Sequence, residues 1–181
     1  MAIQVRGRIV TDEEKLELRD ALLQPCEGLA PIALIAGPMP PPHRDLLGRM
    51  ALTRLLTAAE LCVVVADAVD EIEAEVRQRA CGAHSAEMRK GRDQIFAHVH
   101  AAFPDLEPDA TVLGAFQNIV SAGQRARLAH ERAIREFDHV IAFAREIPTV
   151  SDAYVACLCT QRQNLINMWP PIEKAIALIQ D

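Results

Sequence analysis

Apolar residues recur at helical spacing through most of this chain. From about Arg44 to Arg79, the positions Leu46, Leu47, Met50, Leu55, Ala58, Ala59, Cys62, Val65, Val69, Ile72 and Val76 keep the period, which predicts one long helix. Its middle, Leu61–Val65, reads LCVVV and is apolar on every side. Such a helix is central in a bundle or is also covered by a second subunit. Gly82 interrupts the pattern, and Ser85 is placed to cap a second helix reaching about Phe103. After the turn marked by Pro104 and Pro108, Asp109 or Thr111 opens a long helix to about Glu146. It passes through Leu113, Phe116, Ile119, Val120, Leu128, Ile134, Phe137, Ile141 and Phe143. Gly114 and Gly123 weaken it or allow close packing. Pro148 ends it, Ser151 caps a last helix to about Met168, and Pro170–Pro171 stop that helix and can open a short terminal one.

The beginning of the chain is different. Residues 2–10 alternate weakly through Ile3, Val5 and Ile9, as a short strand or extended arm does. Thr11 followed by Glu14 is a capping-box pattern, predicting a helix from about Asp12 to Gln24. Six prolines between Pro25 and Pro42 then forbid regular helix until about His43. The expected organisation is therefore an N-terminal arm, short helix and proline-rich linker over 1–42, followed by an all-α, up-and-down helical bundle over 43–181.

Composition agrees with this reading. The chain has 181 residues, half of them apolar and only 4% aromatic, which suits one domain of packed helices. The N-terminus has no apolar signal region and no run approaches a membrane span. The expectation is thus a cytoplasmic protein with no membrane association. Five cysteines (Cys26, Cys62, Cys81, Cys157, Cys159) lack framework spacing and read as reduced thiols. Cys81-x-x-His84 offers two zinc ligands without a second pair at a familiar spacing, and Cys157-x-Cys159 diverges on a helix.

The net charge of −6 argues against broad nonspecific nucleic-acid binding. Between Arg77 and Arg92, however, five cations (Arg77, Arg79, Arg89, Lys90, Arg92) meet one acid, Glu87. That cluster runs into RDQIFAHVH, Arg92 to His100, where a fixed cation, an acid and imidazoles come together. Cutting RNA without a metal needs a base for the ribose 2′-hydroxyl, a cation for the phosphorane and an acid for the leaving 5′-oxygen. Histidine suits the proton transfers and arginine the phosphorane. Arg92 and His98 lie about 240° and about 9 Å apart on one helix, so they flank a groove. A composite site across a homodimer twofold brings two such motifs together. Without that pairing, Arg92 is a surface cation and His98 a half-buried polar residue.

The stretch GRDQIFAHVH resembles the signature of the HEPN superfamily, which runs from an arginine through a polar residue to a histidine, often preceded by alanine. Arg92, Asp93, Ala97 and His98 match it, and the subgroup linked to abortive infection is the most similar. The resemblance implies an all-helical, dimeric, metal-independent endoribonuclease acting on RNA in a toxin–antitoxin or antiviral setting. Arg92 and His98 would be catalytic, with Asp93 orienting, and no cofactor or metal would be needed. Some members of the superfamily lack nuclease activity. The rival reading is a helical interaction protein that binds an antitoxin or a nucleotidyltransferase.

Two further patterns stand apart from this motif. Arg125-x4-His130 meets the bare arginine–histidine spacing, and Arg125, Arg127, His130, Arg132 and Arg135 form a second basic stripe. Arg125 and Arg127, with the first cluster, are expected to line an RNA groove if the helices are adjacent; otherwise the stripe is a salt-bridged face. Glu136-x-x-His139 has the spacing of bundle di-metal sites, with Glu60 as a possible helper but no second such pair. Its plainer reading is an exposed helix face. Trp169 beside Pro170 reads as a packing plug.

Overall fold

The computed structural model describes residues 3–5, 8–10, 42–77, 82–147 and 150–180. They form a pair of short antiparallel strands and five helices. The strands are β1 (Ile3–Val5) and β2 (Arg8–Val10), with Gln4 opposite Ile9. The helices are α1 (Pro42–Arg77), α2 (Ala83–Ala102), α3 (Ala110–Gly114), α4 (Ala122–Glu146) and α5 (Asp152–Gln180). The five helices pack as the expected all-α bundle. The helix expected over Asp12–Gln24 and the proline linker before Pro42 lie outside the described residues. Among the described residues, no helix is long and apolar enough to cross a membrane.

Helix α1 is 36 residues long, about 54 Å, and begins on Pro42, where the missing N–H costs nothing. It is the central helix. Leu55, Leu56, Leu61, Cys62, Val63, Val65, Ala66, Ala68 and Val69 are all buried. The all-round apolar stretch is therefore covered within one chain, chiefly by α4, then by α2 and α5.

The surface of α4 that meets the core is made largely of small residues. Ala126, Ala129, Ala133 and Ala144 are buried together with Phe137, Val140 and Ile141. Alanines at this spacing let two helix axes approach closely, so backbone and short side chains make the contact.

Three boundaries differ from the sequence reading. First, α2 begins at Ala83, and Ser85 is not its cap. The Ser85 hydroxyl donates to the Gly82 carbonyl at 3.3 Å, and its amide is taken by Asp70.

Second, the helix expected from Asp109 to Glu146 is two helices. Asp109 does cap a helix, its carboxylate accepting from Thr111 and Val112, but α3 ends at Gly114. Short-range turns then carry the chain through Phe116, which is buried, to Ser121, whose hydroxyl caps α4. Residues 111–121 include Thr111, Val112, Gly114, Asn118, Ile119 and Val120, none a strong helix former. The break allows Phe116 to turn into the core, while Arg125 closes it by donating to the Ile119 carbonyl at 2.7 Å. Thr57, fully buried on α1, accepts the Asp109 amide at 2.8 Å and pins the start of α3.

Third, α5 continues through Pro170 and Pro171. Proline removes a donor to the carbonyl four residues back. Packing overrides that loss: Leu158, Leu165, Met168, Ile172 and Ile176 form one buried stripe running straight across the proline pair. Trp169 does plug the structure, its ring stacked on His130 with centroids 4.7 Å apart.

His130 is buried beneath that indole and donates from Nε2 to the Leu165 carbonyl, joining α4 to α5. Burial holds its pKa below the ordinary 6.5, outweighing the carbonyl and the charge of Glu131, which act in the opposite direction. The unfolded state therefore binds a proton more readily than the native state. The associated stability is complete above about pH 6.5 and is lost as the pH falls from there toward the lowered native value. Denaturant unfolding at pH 7.5 and 5.5 should show wild type losing more stability over that interval than His130→Gln. Equal losses would mean that His130 does not titrate differently in the two states.

Candidate functional site

Helix α2 carries the arginine–histidine motif, and its position is set by polar contacts with α1. Glu60 meets Arg92, with the guanidinium Nη1 at 3.2 and 3.4 Å from the two carboxylate oxygens. Asp67 accepts from Arg89 at 2.6 Å. Asp70 accepts the Ser85 amide at 2.9 Å, and Glu73 lies 3.0 Å from His84 Nε2. As the number on α1 rises from 60 to 73, that on α2 falls from 92 to 84, so the helices are antiparallel and joined by a ladder of acids. Ile95, Val99 and Met88 fill the apolar side of the same contact.

This ladder changes the meaning of the basic cluster. Arg89 and Arg92 are balanced by acids one helix away that local sequence does not reveal. Lys90 is exposed, Arg77 has its backbone alone described, and Arg79 lies outside the described residues. In the second stripe, Arg125 pairs with Glu71 and Arg127 with Glu173, 3.3 Å away. Of the six arginines expected to contact RNA or act in catalysis, five are described or partly described, and four of these have acidic partners: Arg89, Arg92, Arg125 and Arg127.

Arg92 is held on two sides. Its Nε and Nη2 donate to Asp93 Oδ1 at 2.9 and 2.7 Å, while Nη1 reaches Glu60. Phe96 lies below the guanidinium, 5.9 Å from its centre. Burial alone would lower the Arg92 pKa, but the hydrogen bonds and charges of Asp93 and Glu60 outweigh it and raise the value. His98 is exposed, and its Nδ1 lies 2.6 Å from the Gln94 carbonyl. A carbonyl can only accept, so Nδ1 carries the proton. In the neutral ring Nε2 is then the unprotonated nitrogen. His100 is turned the other way, donating from Nε2 to the Leu106 carbonyl at 2.8 Å and standing edge-on to Phe96.

The other arginine–histidine spacing has no such use, because His130 is buried and Arg125 is committed to Glu71 and Ile119.

Glu136-x-x-His139 also departs from expectation. Glu136 is fully buried, not part of an exposed face. Arg54 Nη1 reaches both its oxygens, at 2.9 and 3.2 Å, and Arg132 Nε lies 2.7 Å away as an ion pair too bent to be a hydrogen bond. His139 stands 3.9 Å off and is half exposed. Glu60, the suggested helper, is used by Arg92. Two cations on one carboxylate make this an ion-pair cluster across the α1–α4 contact.

Sequence reasoning paired His84 with Cys81 as possible zinc ligands and missed its two acidic neighbours, Asp70 and Glu73. Asp70, Glu73 and His84 are all buried, and one ligand-type atom from each lies within 4.8 Å of the others. The available signal was Asp70-x-x-Glu73, two acids one turn apart inside an otherwise apolar helix. The neighbouring Cys81 lies outside the described residues. Cys62 is buried and Cys157 and Cys159 are partly buried, and none of the three is in a disulfide.

Comparison with protein-family models, curated proteins and solved structures returns no match. What the chain does therefore has to be argued from its own residues.

The Glu136 cluster makes a direct test of the packing around it. Arg54→Met removes the cation that reaches both oxygens and leaves a buried carboxylate poorly compensated, which should cost about 3 kcal/mol. Arg54→Met combined with Glu136→Leu should recover much of that loss. Urea unfolding of the two single variants and the double variant measures the coupling. Additive losses would show that the pair is not coupled.

Proposed function

We propose that this chain is a HEPN-like, metal-independent endoribonuclease that acts as a homodimer in a toxin or antiviral defence role. The observation that carries the reading is the His98–Gln94 hydrogen bond. It fixes the tautomer and leaves the exposed Nε2 free to take the proton of a ribose 2′-hydroxyl. The 2′-oxygen then attacks phosphorus, and the 5′-oxygen leaves with a proton. His98 of one subunit acts as base and its counterpart in the other as acid. Arg92, held in place by Asp93, offers its fork to the phosphorane oxygens.

A phosphate has to displace a carboxylate to use Arg92. Asp93 is the easier to displace, because its side chain is 67% exposed against 22% for Glu60. Glu60 would then remain as the anchor while Asp93 swings away. The basic residues Arg77, Arg79, Arg89, Lys90, Arg125 and Arg127 would guide RNA toward the cleft. Those paired with exposed acids would exchange carboxylate for phosphate at low cost.

A second reading is a non-catalytic helical interaction protein that binds an antitoxin or nucleotidyltransferase. Two observations favour it: the pairing of Arg89, Arg125 and Arg127 with acids, and the exposed apolar side chain of Val120, 93% accessible beside a cleft lined by Glu71, Ile72, Glu75 and Ile176.

The test is cleavage of RNA by purified protein in EDTA. His98→Ala should abolish cleavage, and Arg92→Ala should lower it by about a hundredfold or more, with both variants retaining helical content and dimerisation. Induced expression of the wild type should arrest growth, and Arg92→Ala should relieve the arrest. Cleavage retained by His98→Ala would remove the nuclease assignment. A wild type that neither cuts RNA nor affects growth would leave the interaction module.

A further inference from the structure

We infer that Asp70, Glu73 and His84 form a binding site for one divalent first-row transition-metal ion, clamping the C-terminal part of α1 to the first turn of α2. The three side chains are buried, and one donor atom from each lies within 4.8 Å of the others. His84 Nε2 and Glu73 Oε2 are 3.0 Å apart. That is the edge expected between adjacent ligands around an ion with bonds of about 2.1 Å, roughly 3 Å in an octahedral shell.

A second observation separates this group from an ordinary buried ion pair. Asp70 is only 7% exposed. Its Oδ2 accepts the Ser85 amide at 2.9 Å, while its Oδ1 is buried and meets no hydrogen-bond donor. Buried carboxylate oxygens are ordinarily satisfied, because losing water without replacement is costly. An ion held between the three side chains would give this oxygen its partner. The Ser85 amide then has the part of an outer-shell partner, orienting the Asp70 carboxylate toward the ion.

The donors select the kind of metal. One imidazole and two carboxylates suit Mn²⁺, Fe²⁺ or Zn²⁺, whereas a soft ion would want thiolates. On binding, His84 coordinates through Nε2 as the neutral ring with its proton on Nδ1, so a ring protonated only on Nε2 changes tautomer and an imidazolium releases its Nε2 proton to solvent. Three protein ligands leave further positions for water. The site is eight residues from Arg92 along α2, about 12 Å, and does not depend on the nuclease reading.

The experiment uses the full chain, stripped with EDTA and then titrated separately with Mn²⁺ and Zn²⁺. Calorimetry should find one ion per chain, and the thermal midpoint should rise as the free ion concentration passes the Kd. Mn²⁺ has little affinity for thiols, so its uptake is not explained by the cysteines. Loading with Co²⁺ should give d–d absorption without a thiolate charge-transfer band. Asp70→Asn and His84→Gln should each weaken Mn²⁺ binding by about a hundredfold or more. Glu73→Gln substitutes for either variant that fails to fold. No uptake of Mn²⁺ or Zn²⁺ by the wild type would overturn the assignment, as would uptake unchanged in the variants.

Discussion

The bundle is built on the contact between α1 and α4, the most extensive between any two of its helices. The core-facing side of α4 is largely alanine, so the two helices meet through short side chains. Close approach gains dispersion contacts along the whole interface, but leaves little room for a long polar side chain. Glu136 occupies that contact. It is compatible with burial because Arg54 crosses from α1 to reach both of its oxygens and Arg132 approaches from one turn back on α4. Replacing a buried ion pair by apolar side chains is often tolerated, whereas leaving half of one is not. The pair therefore acts mainly on register, since sliding either helix by one turn would strand the carboxylate.

With α4 on one side, α1 has another face left for α2, and here the bonding changes character. Four acids on α1, Glu60, Asp67, Asp70 and Glu73, meet donors or cations on α2 in antiparallel order. Such a ladder fixes rotation and height together, because each rung has its own partner. It also gives Arg92 two roles. The same guanidinium that pins α2 to α1 through Glu60 is the cation proposed to meet a phosphate. A group held on one side and exchangeable on the other is well suited to that use, for it arrives already oriented.

Much of this could be read from residue order. The apolar period located α1, α2 and most of α4 and α5, and the capped starts at Asp109 and Ser151 follow from short side chains that accept backbone N–H groups. Local rules failed where packing opposed them. Pro170 and Pro171 read as a stop, yet the stripe Leu165, Met168, Ile172 and Ile176 stays buried across them. The segment from Thr111 to Ser121 kept a helical period, but its weak helix formers yielded once Phe116 could enter the core. Ser85 had the residue type of a cap, and Asp70 claimed its amide first.

Residue order left open whether α1 is central in the bundle or covered by a second subunit, but it was enough to show that the chain is helical and that Arg92, Asp93 and His98 sit close together on one helix. These are consequences of periodicity and of spacing along a single element, which need no knowledge of neighbours. Tertiary structure alone decided which charges are used up: Glu60 on Arg92, Asp67 on Arg89, Glu71 on Arg125, Arg54 on Glu136. It alone gathered Asp70, Glu73 and His84. The reason is physical: the partners in these contacts lie between 11 and 82 residues apart in the chain, and an ionic contact depends on distance in space, which no local pattern encodes.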